Sequence, residues 1–211
     1  MRPKVILNCA ASADGKISLP NRKQLAISNI EDFKRVHELR SECDAIIVGI
    51  GTILEDNPSL TVRNNSETKP IRIILDTHCR IPSDSKVLNG ENKTIVAVGK
   101  DYKEKDLGNT EILKCGDKEI NLKQLLNIIG ERGVKKVLVE GGETVMWSFL
   151  KEKLFDEYNV FFSSMIIGGV KTPTIAGGEG FQNEKSILNL KLNCVKQIGN
   201  GILAKYDRKE N

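Results

Sequence analysis

The segment Val48-Gly49-Ile50-Gly51-Thr52-Ile53-Leu54-Glu55-Asp56-Asn57-Pro58-Ser59-Leu60-Thr61-Val62-Arg63 carries the most information about this chain. The apolar run Ala45–Val48 that leads into it is typical of a buried strand. Gly49 and Gly51 follow, and glycines after a strand let backbone N–H groups approach a ligand closely. Arg63 adds a guanidinium that fits a phosphate group. An ordinary strand-to-helix turn with a surface arginine fits the same spacing. Residues elsewhere in the chain are needed to distinguish a ligand-binding loop from such a turn.

Composition indicates one globular α/β domain, which we place at residues 1–211. Hydrophobic residues make up 39% and charged residues 28% of the 211 residues, which allows a buried core and argues against global disorder. The formal charge of +4 is mild, and basic and acidic residues are interspersed. No basic stripe interleaved with aromatic residues is present, so we expect no nucleic-acid partner.

Cysteine and histidine usage argues against a metal site. The five cysteines are odd in number and no pair has metal-ligand spacing, while His37 and His78 are the only histidines. Reduced cytosolic thiols are the plain interpretation. Neither a signal peptide nor an apolar run of membrane-spanning length is present. We therefore expect a cytoplasmic protein with no membrane partner.

The order of predicted elements indicates a mixed sheet. Ser28 and Glu31 have the spacing of a capping box, which predicts a helix with an apolar stripe of Ile30, Phe33, Val36 and Leu39. Asn121 caps a second helix, and Gly199-Asn200-Gly201 predicts a hairpin. Strands and helices alternate over the first two-thirds, and the end is antiparallel. The predicted strands are Pro3–Ala11, Ala45–Val48, Ile71–Leu75, Thr94–Val98, Val137–Val139, Glu157–Ser163, Leu190–Val195 and Gly201–Tyr206.

A second glycine loop, Glu140-Gly141-Gly142-Glu143-Thr144, stands between a predicted strand and a helix. The free N–H groups of that helix can hold a phosphate or pyrophosphate, and Thr144 adds a hydroxyl. The loop has neither the third glycine of the dinucleotide fingerprint nor the lysine of a P-loop, so a tight turn also explains it. Glu140 follows the strand directly, at the sheet edge where open α/β folds bind ligands.

Other candidate residues lie near strand ends. In Asp76-Thr77-His78-Cys79-Arg80, Arg80 could bind a phosphate and Thr77 a ribose or phosphate, with His78 a minor member. Arg40 lies near a helix C-terminus, where a cation is also favourable without a ligand. On the first strand, Asn8 alternates with the small Ala10, which leaves room for a flat ring. Two further segments are interpreted as a turn (Asp14–Lys16) and a glycine-rich surface loop (167–180).

Together these motifs resemble the riboflavin-biosynthesis reductases, which include archaeal and fungal stand-alone enzymes and the C-terminal half of the bacterial deaminase-reductase. The most specific match is Thr52-x-x-x-Asp56-Asn57-Pro58-x-Leu60-Thr61-x-Arg63. Without a deaminase segment, the chain looks like the archaeal type. The other matching pieces are Ala11–Lys16, Arg40 with Asp44-Ala45, Arg72–Asp76, Glu140–Gly142, and Gly168-Gly169 with Pro173-Thr174.

The resemblance implies a dihydrofolate-reductase-like fold, with a mostly parallel mixed sheet flanked by helices and an antiparallel C-terminal hairpin. It also implies a homodimer and NADPH as the cofactor; whether NADH substitutes stays open. The implied substrate is 2,5-diamino-6-ribosylamino-4(3H)-pyrimidinone 5′-phosphate, whose ribosyl group is reduced to ribityl by hydride transfer to C1′.

The resemblance also implies roles for individual residues. Leu60, Arg63 and Glu140 face the substrate, with Arg63 on the 5′-phosphate and Arg40 as its possible partner. Arg80 is a candidate for the 2′-phosphate of NADPH. The remaining implied cofactor contacts are Ala10, Gly51, Thr52, Asp56, Thr77, Gly141, Gly142, Glu143 and Thr144.

Catalysis is assigned to Glu140 and Asn8, and the general acid stays open. Bacterial relatives usually carry lysine where this chain has Asn8, and an amide cannot usefully donate a proton near neutral pH. A dihydrofolate reductase is the nearest alternative, but its early helix carries a carboxylate where this helix offers Arg40 and His37. A non-catalytic nucleotide-binding module is the other alternative.

Overall fold

The computed structural model describes residues 1–23, 25–62, 68–90 and 92–209. The chain forms two compact units, Met1–Lys4 with His37–Val139 and Val5–Val36 with Glu140–Asn211. The single domain predicted for residues 1–211 stays a prediction. In chain order the elements are β1 (Lys4–Ala11), α1 (Ile30–Ser41), β2 (Ala45–Gly49), α2 (Ile50–Asp56), β3 (Ile71–Leu75), β4 (Thr94–Val98), β5 (Glu111–Lys114), α3 (Leu122–Glu131), β6 (Lys136–Val139), α4 (Glu143–Lys151), β7 (Glu157–Phe162), β8 (Leu190–Ile198) and β9 (Gly201–Arg208), with 3-10 turns at Lys86–Leu88 and Glu184–Ser186.

The unit containing His37–Val139 is built on parallel strands in the order β5-β4-β3-β2-β6. All five residues of β2 and of β4 are buried, as expected for strands covered on both faces. Parallel strands bring their carboxyl ends to one edge, so the loops that follow β2, β3 and β4 all leave the sheet there. This edge carries Gly51, Thr52, Thr77 and Arg80.

The unit containing Glu140–Asn211 has the strand order β1-β7-β9-β8. β1 and β7 are parallel, whereas β9 runs antiparallel to β7, and β8 runs antiparallel to β9. Ile198 pairs with Gly201 across the turn, and Gly199 has φ +56°, a conformation that favours glycine. The predicted antiparallel C-terminal hairpin is confirmed.

Helix α1 differs from its predicted register. Asn29, rather than Ser28, is the N-cap residue, because its side-chain oxygen accepts a hydrogen bond from the backbone N–H of Asp32 at 2.8 Å. Ile30 and Phe33, two members of the predicted apolar stripe, are 73% and 51% exposed. Asp32 is the fully buried residue of this helix. Val36 and Leu39, the other two members, are half-buried, so the predicted stripe is buried only in part.

All five cysteines are free thiols, and four of them are buried. Among the described residues, no group of three or more histidine, cysteine or acidic side chains is placed to hold a metal ion. Within the same ranges, no helix combines the length and apolar character needed to cross a bilayer.

Candidate active site

The turn from β2 into α2 has no capping side chain and leaves open space at Gly51. Gly49 precedes α2 in an extended conformation, and no side chain caps the helix there. A Cβ added to Gly51 would meet no atom within 4 Å, so packing within the protein does not require glycine at this position. Thr52 and Asp56 are half-buried, and burial, helped by the neighbouring Glu55, raises the pKa of Asp56.

The second half of this loop is held from two directions. Leu60 is 4% exposed and has φ +51°. The buried Arg72 guanidinium donates to the carbonyl of Ser59 at 3.3 Å, and Arg40 Nη1 donates to the carbonyl of Thr61 at 3.4 Å. Arg40 therefore contacts the backbone of the segment implied to bind substrate. The predicted phosphate ligand Arg63 lies outside the described residues.

The loop after β3 is organised by a buried carboxylate. Asp76 Oδ2 accepts the backbone N–H of Ile81 at 2.8 Å, and Asp76 Oδ1 lies 3.8 Å from Arg80 Nε. The carbonyl of Thr77 accepts the N–H of Gly99 at 2.9 Å. The Arg80 side chain is 57% exposed. Asp76 thus anchors the loop while Arg80 extends its guanidinium toward solvent.

The loop Glu140–Thr144 has a helix end without a side-chain cap. Gly142 precedes α4 in an extended conformation with no capping side chain. A Cβ on Gly141 would lie 2.5 Å from Val145 Cβ, so only glycine fits at that position. Glu140 is half-buried and Thr144 is exposed.

The carboxylate of Glu143 serves the protein itself. Glu143 Oε1 accepts from Arg22 Nη2 at 2.9 Å, and Oε2 accepts the N–H of Thr174 at 3.3 Å. Any contribution of Glu143 to anion binding falls to its backbone N–H, because an ionised carboxylate has only hydrogen-bond acceptors. This geometry agrees with the use of helix N-termini in anion sites.

The predicted turn near the N-terminus is structural. Asp14 accepts from Ser12 Oγ at 2.6 Å and from the N–H groups of Ile167 and Gly168 at 3.1 and 2.7 Å. These hydrogen bonds, that of Ser12 first, lower the pKa of Asp14 to about 2. Asp14 joins its own turn to the glycine-rich loop.

Strand β1 places Ala10 and Asn8 on one side, two residues apart. Within Val5–Ala11, Ala10 alone is half-buried, and the others are buried. Asn8 is 6% exposed. On the other side of the strand, burial raises the pKa of the Cys9 thiol to about 12, so Cys9 stays protonated near neutral pH.

A polar chain that leads to Asn8 was missed by reasoning from the sequence. Arg35 Nη2 donates to Asn8 Oδ1 at 2.9 Å, and Arg35 Nε donates to Asp32 Oδ1 at 2.7 Å. Ser28 Oγ donates to the second oxygen of Asp32 at 2.6 Å. The i,i+3 spacing of Asp32 and Arg35 was the available signal.

The same chain corrects one argument against a dihydrofolate reductase. Helix α1 does carry a buried carboxylate, Asp32, although the sequence suggested only Arg40 and His37. Its oxygens are engaged by Arg35 and Ser28. The carboxylate of Asp32 is thus paired with Arg35 inside the protein.

Comparison with known proteins decides the family. The model of the RibD C-terminal domain matches residues 3–204. The chain belongs to this family. The 2,5-diamino-6-ribosylamino-4(3H)-pyrimidinone 5′-phosphate reductase of Archaeoglobus fulgidus is 37% identical, over 99% of this chain and 100% of that protein. The protein of that name from Aquifex aeolicus is 35% identical over 98% of this chain and 96% of that protein.

Solved structures of the RibD family share the fold. RibD of Acinetobacter baumannii superposes with a TM-score of 0.86 at 26% identity, covering 99% of this chain and 58% of that one. Dihydrofolate reductase of Enterococcus faecalis, complexed with NADP(H), gives a TM-score of 0.52 at 13% identity over 98% and 97% of the two chains. The predicted family and the predicted dihydrofolate-reductase-like fold are both confirmed.

Proposed function

We propose that the protein reduces the ribosyl group of 2,5-diamino-6-ribosylamino-4(3H)-pyrimidinone 5′-phosphate to the ribitylamino product, with hydride from NADPH, in riboflavin biosynthesis. The observation that carries this function is near-full-length identity of 35–37% to three proteins named as that reductase. The predicted main function is supported, because all three relatives are named as this reductase.

The chemistry needs positioning more than strong acid–base catalysis. Opening of the ribosylamine ring gives an imine at C1′, which accepts a hydride and a proton to become the amine. Bound NADPH supplies the hydride, and the protein holds the donor and acceptor carbons in near-attack geometry. Glu140 orients the sugar hydroxyls or stabilises the iminium charge, and Asn8 hydrogen-bonds the sugar.

The cofactor residues fit NADPH on grounds of space and hydrogen bonding. No side chain caps α4, so the first N–H groups of this helix suit a pyrophosphate. Gly51 leaves room for close approach, and the extended Arg80 suits a 2′-phosphate. Thr52, Asp56 and Thr77 are the further contacts on their loops, and Ala10 offers the flat surface on β1. The use of NADH is measured in the same assay.

The loop that follows α2 carries two of the residues proposed to bind the substrate. Arg63 binds the 5′-phosphate and Leu60 packs against the substrate. The hydrogen bond from Arg40 to the carbonyl of Thr61 supports a role for Arg40 beside Arg63.

The protein acts as a cytoplasmic homodimer, without a nucleic-acid or membrane partner. The support for a dimer is an exposed sheet edge: seven consecutive residues of β8, Lys191–Gln197, are exposed, and Leu192 and Val195 are 56% and 58% exposed. Natural proteins usually cover or charge such edges, so a second copy of the chain is a suitable partner.

The test is anaerobic oxidation of NADPH with freshly made ribosylaminopyrimidine phosphate, with dihydrofolate as the comparison substrate. We expect turnover of the phosphate and a product two mass units heavier, with negligible turnover of dihydrofolate. Turnover of dihydrofolate alone would replace this function by that of a pterin reductase. Binding of NADPH without turnover of either substrate would indicate a non-catalytic module.

A further inference from the structure

We propose that Arg35, itself held by Asp32, is a positioning residue that fixes the amide of Asn8 as a hydrogen-bond donor, and that Asn8 and Asn159 together bind one hydroxyl of the substrate's sugar chain. This inference rests on the proposed function. It adds three residues, Asp32, Arg35 and Asn159, to the substrate side.

The contact between Arg35 and Asn8 determines which end of the amide is used. A guanidinium has donors only, so the Asn8 atom that Arg35 Nη2 meets at 2.9 Å must be the oxygen. The Asn8 amide is thereby locked with its oxygen occupied. Nδ2 of Asn8 forms no hydrogen bond with any other residue in the described ranges, so its donors are left for a ligand.

Arg35 is held more firmly than a surface arginine. Its side chain is 16% exposed, and its ion pair with the fully buried Asp32 spans 2.7 Å. Asp32 is in turn held by Ser28 Oγ and by the Asn29 cap. Such a network orients the guanidinium before any ligand arrives, which is the usual purpose of supporting contacts around a site.

A second polar group is unsatisfied beside Asn8. Asn159 is the register partner of Asn8 in the parallel pair β1–β7, and register partners lie on the same face of a sheet. Asn159 is 1% exposed, and its Oδ1 has no hydrogen-bond partner among the described residues. A buried acceptor without a partner is costly, so it needs an explanation.

A hydroxyl satisfies both groups at once. It can accept a hydrogen bond from Asn8 Nδ2 and donate its own proton to Asn159 Oδ1. The sugar chain approaches Asn8 along this face of β1, on which Ala10, two residues away, is half-buried. A sugar hydroxyl therefore matches this donor and acceptor, whereas a charged phosphate would be repelled by the unpartnered oxygen.

The decisive variant is Asn8→Asp. A carboxylate keeps the contact with Arg35 but has no donor at neutral pH, so the fold is retained and the proposed hydrogen bond is lost. We expect kcat/KM for the ribosylaminopyrimidine phosphate to fall at least about tenfold, while the Kd for NADPH stays unchanged. A purely structural role of Asn8 predicts wild-type kcat/KM in this variant.

A double-mutant cycle tests whether Arg35 acts through Asn8. We expect Arg35→Met to lower kcat/KM about tenfold, Arg35→Lys to restore part of the loss, and Arg35→Met to have little further effect in an Asn8→Ala background. Lys34→Met, which removes an exposed cation from the same helix, is the matched control and should keep wild-type kinetics. Additive effects of Arg35→Met and Asn8→Ala would overturn the positioning role.

The acceptor is tested by Asn159→Leu, with the thermal midpoint measured first. We expect a higher KM for the phosphate substrate and an unchanged KM for NADPH. If this variant does not fold, Asn159→Ser, which withdraws the acceptor but keeps a polar side chain, takes its place; Asn8→Asp decides the role of Asn8. If the wild-type protein does not turn over the substrate, the proposed function fails; wild-type turnover with normal kinetics in Asn8→Asp overturns this inference alone.

Discussion

Replacement of Gly141 by alanine tests the loop that precedes α4. The new Cβ would lie 2.5 Å from Val145 Cβ and 2.6 Å from Val145 Cγ1. Carbon atoms prefer separations of about 3.5–4.0 Å, so the loop or the helix end has to move by about 1 Å. A displacement of about 1 Å at a reacting centre can lower the rate about 100-fold. We expect a loss of that order in kcat/KM for NADPH, with the protein still folded.

The assay is steady-state NADPH oxidation at saturating phosphate substrate, with cofactor binding followed by the quenching of tryptophan fluorescence. Val145→Gly in the same chain removes the colliding atoms, at a cost in helix propensity of about a few tenths of a kcal/mol. The double variant should regain most of the lost cofactor affinity. If Gly141→Ala alone binds and oxidises NADPH like the wild-type protein, the loop does not contact the cofactor and the reasoning is refuted.

Three further predictions concern single side chains. Arg63→Ala should raise the KM for the phosphate substrate far more than that for NADPH, and equal effects on both would remove Arg63 from the substrate phosphate. Glu140→Gln should lower kcat at least about tenfold without changing NADPH binding, because it removes a charge that faces the iminium; an unchanged kcat would return Glu140 to a structural role. The pKa of Asp14 is lowered from 3.8 to about 2, so its ionised form stabilises the fold above pH 3.8 and this contribution is lost as pH falls toward 2. Wild-type protein should therefore exceed Asp14→Asn in unfolding free energy at pH 7, with the difference vanishing near pH 2; a pH-independent difference in denaturant titrations would contradict this linkage.

Elements with continuous apolar runs could be predicted from the sequence to the residue. β3 (Ile71–Leu75) and β4 (Thr94–Val98) have the predicted bounds, because strands covered on both faces need uninterrupted hydrophobic residues. β5 (Glu111–Lys114) was missed because it is a short edge strand whose residues are half-buried or exposed. Its sequence lacks the apolar run that marks the central strands.

Helix α1 shows where a periodic pattern identifies the buried face only in part. Ile30 and Phe33 have helical spacing, yet they lie on the outer face, while Asp32 and Arg35 occupy the inner one. Hydrophobic periodicity assumes that the buried face is apolar, and a buried ion pair violates that assumption. The polar chain to Asn8 was hidden for the same reason.

The candidate site residues could be predicted mainly from the motif Thr52–Arg63 and the loops that accompany it. Their residue types alone carried less information. The carboxylate of Glu143 illustrates the limit: its side chain binds Arg22 and the N–H of Thr174, which are remote in sequence. Partners so far apart along the chain leave no local pattern. Gly141, by contrast, was predictable, because a strand-to-helix turn that tolerates no Cβ selects glycine.

The most direct test of the central claim is the fate of the hydride. NADPH carrying deuterium at C4 of the nicotinamide, prepared separately in each of its two stereochemical forms, is mixed anaerobically with the ribosylaminopyrimidine phosphate. Mass spectrometry and NMR of the product then locate the label. We predict one deuterium at C1′ of the ribityl chain from one of the two labelled forms and none from the other. Oxidation of NADPH that leaves C1′ without deuterium in both experiments would contradict the proposed reaction.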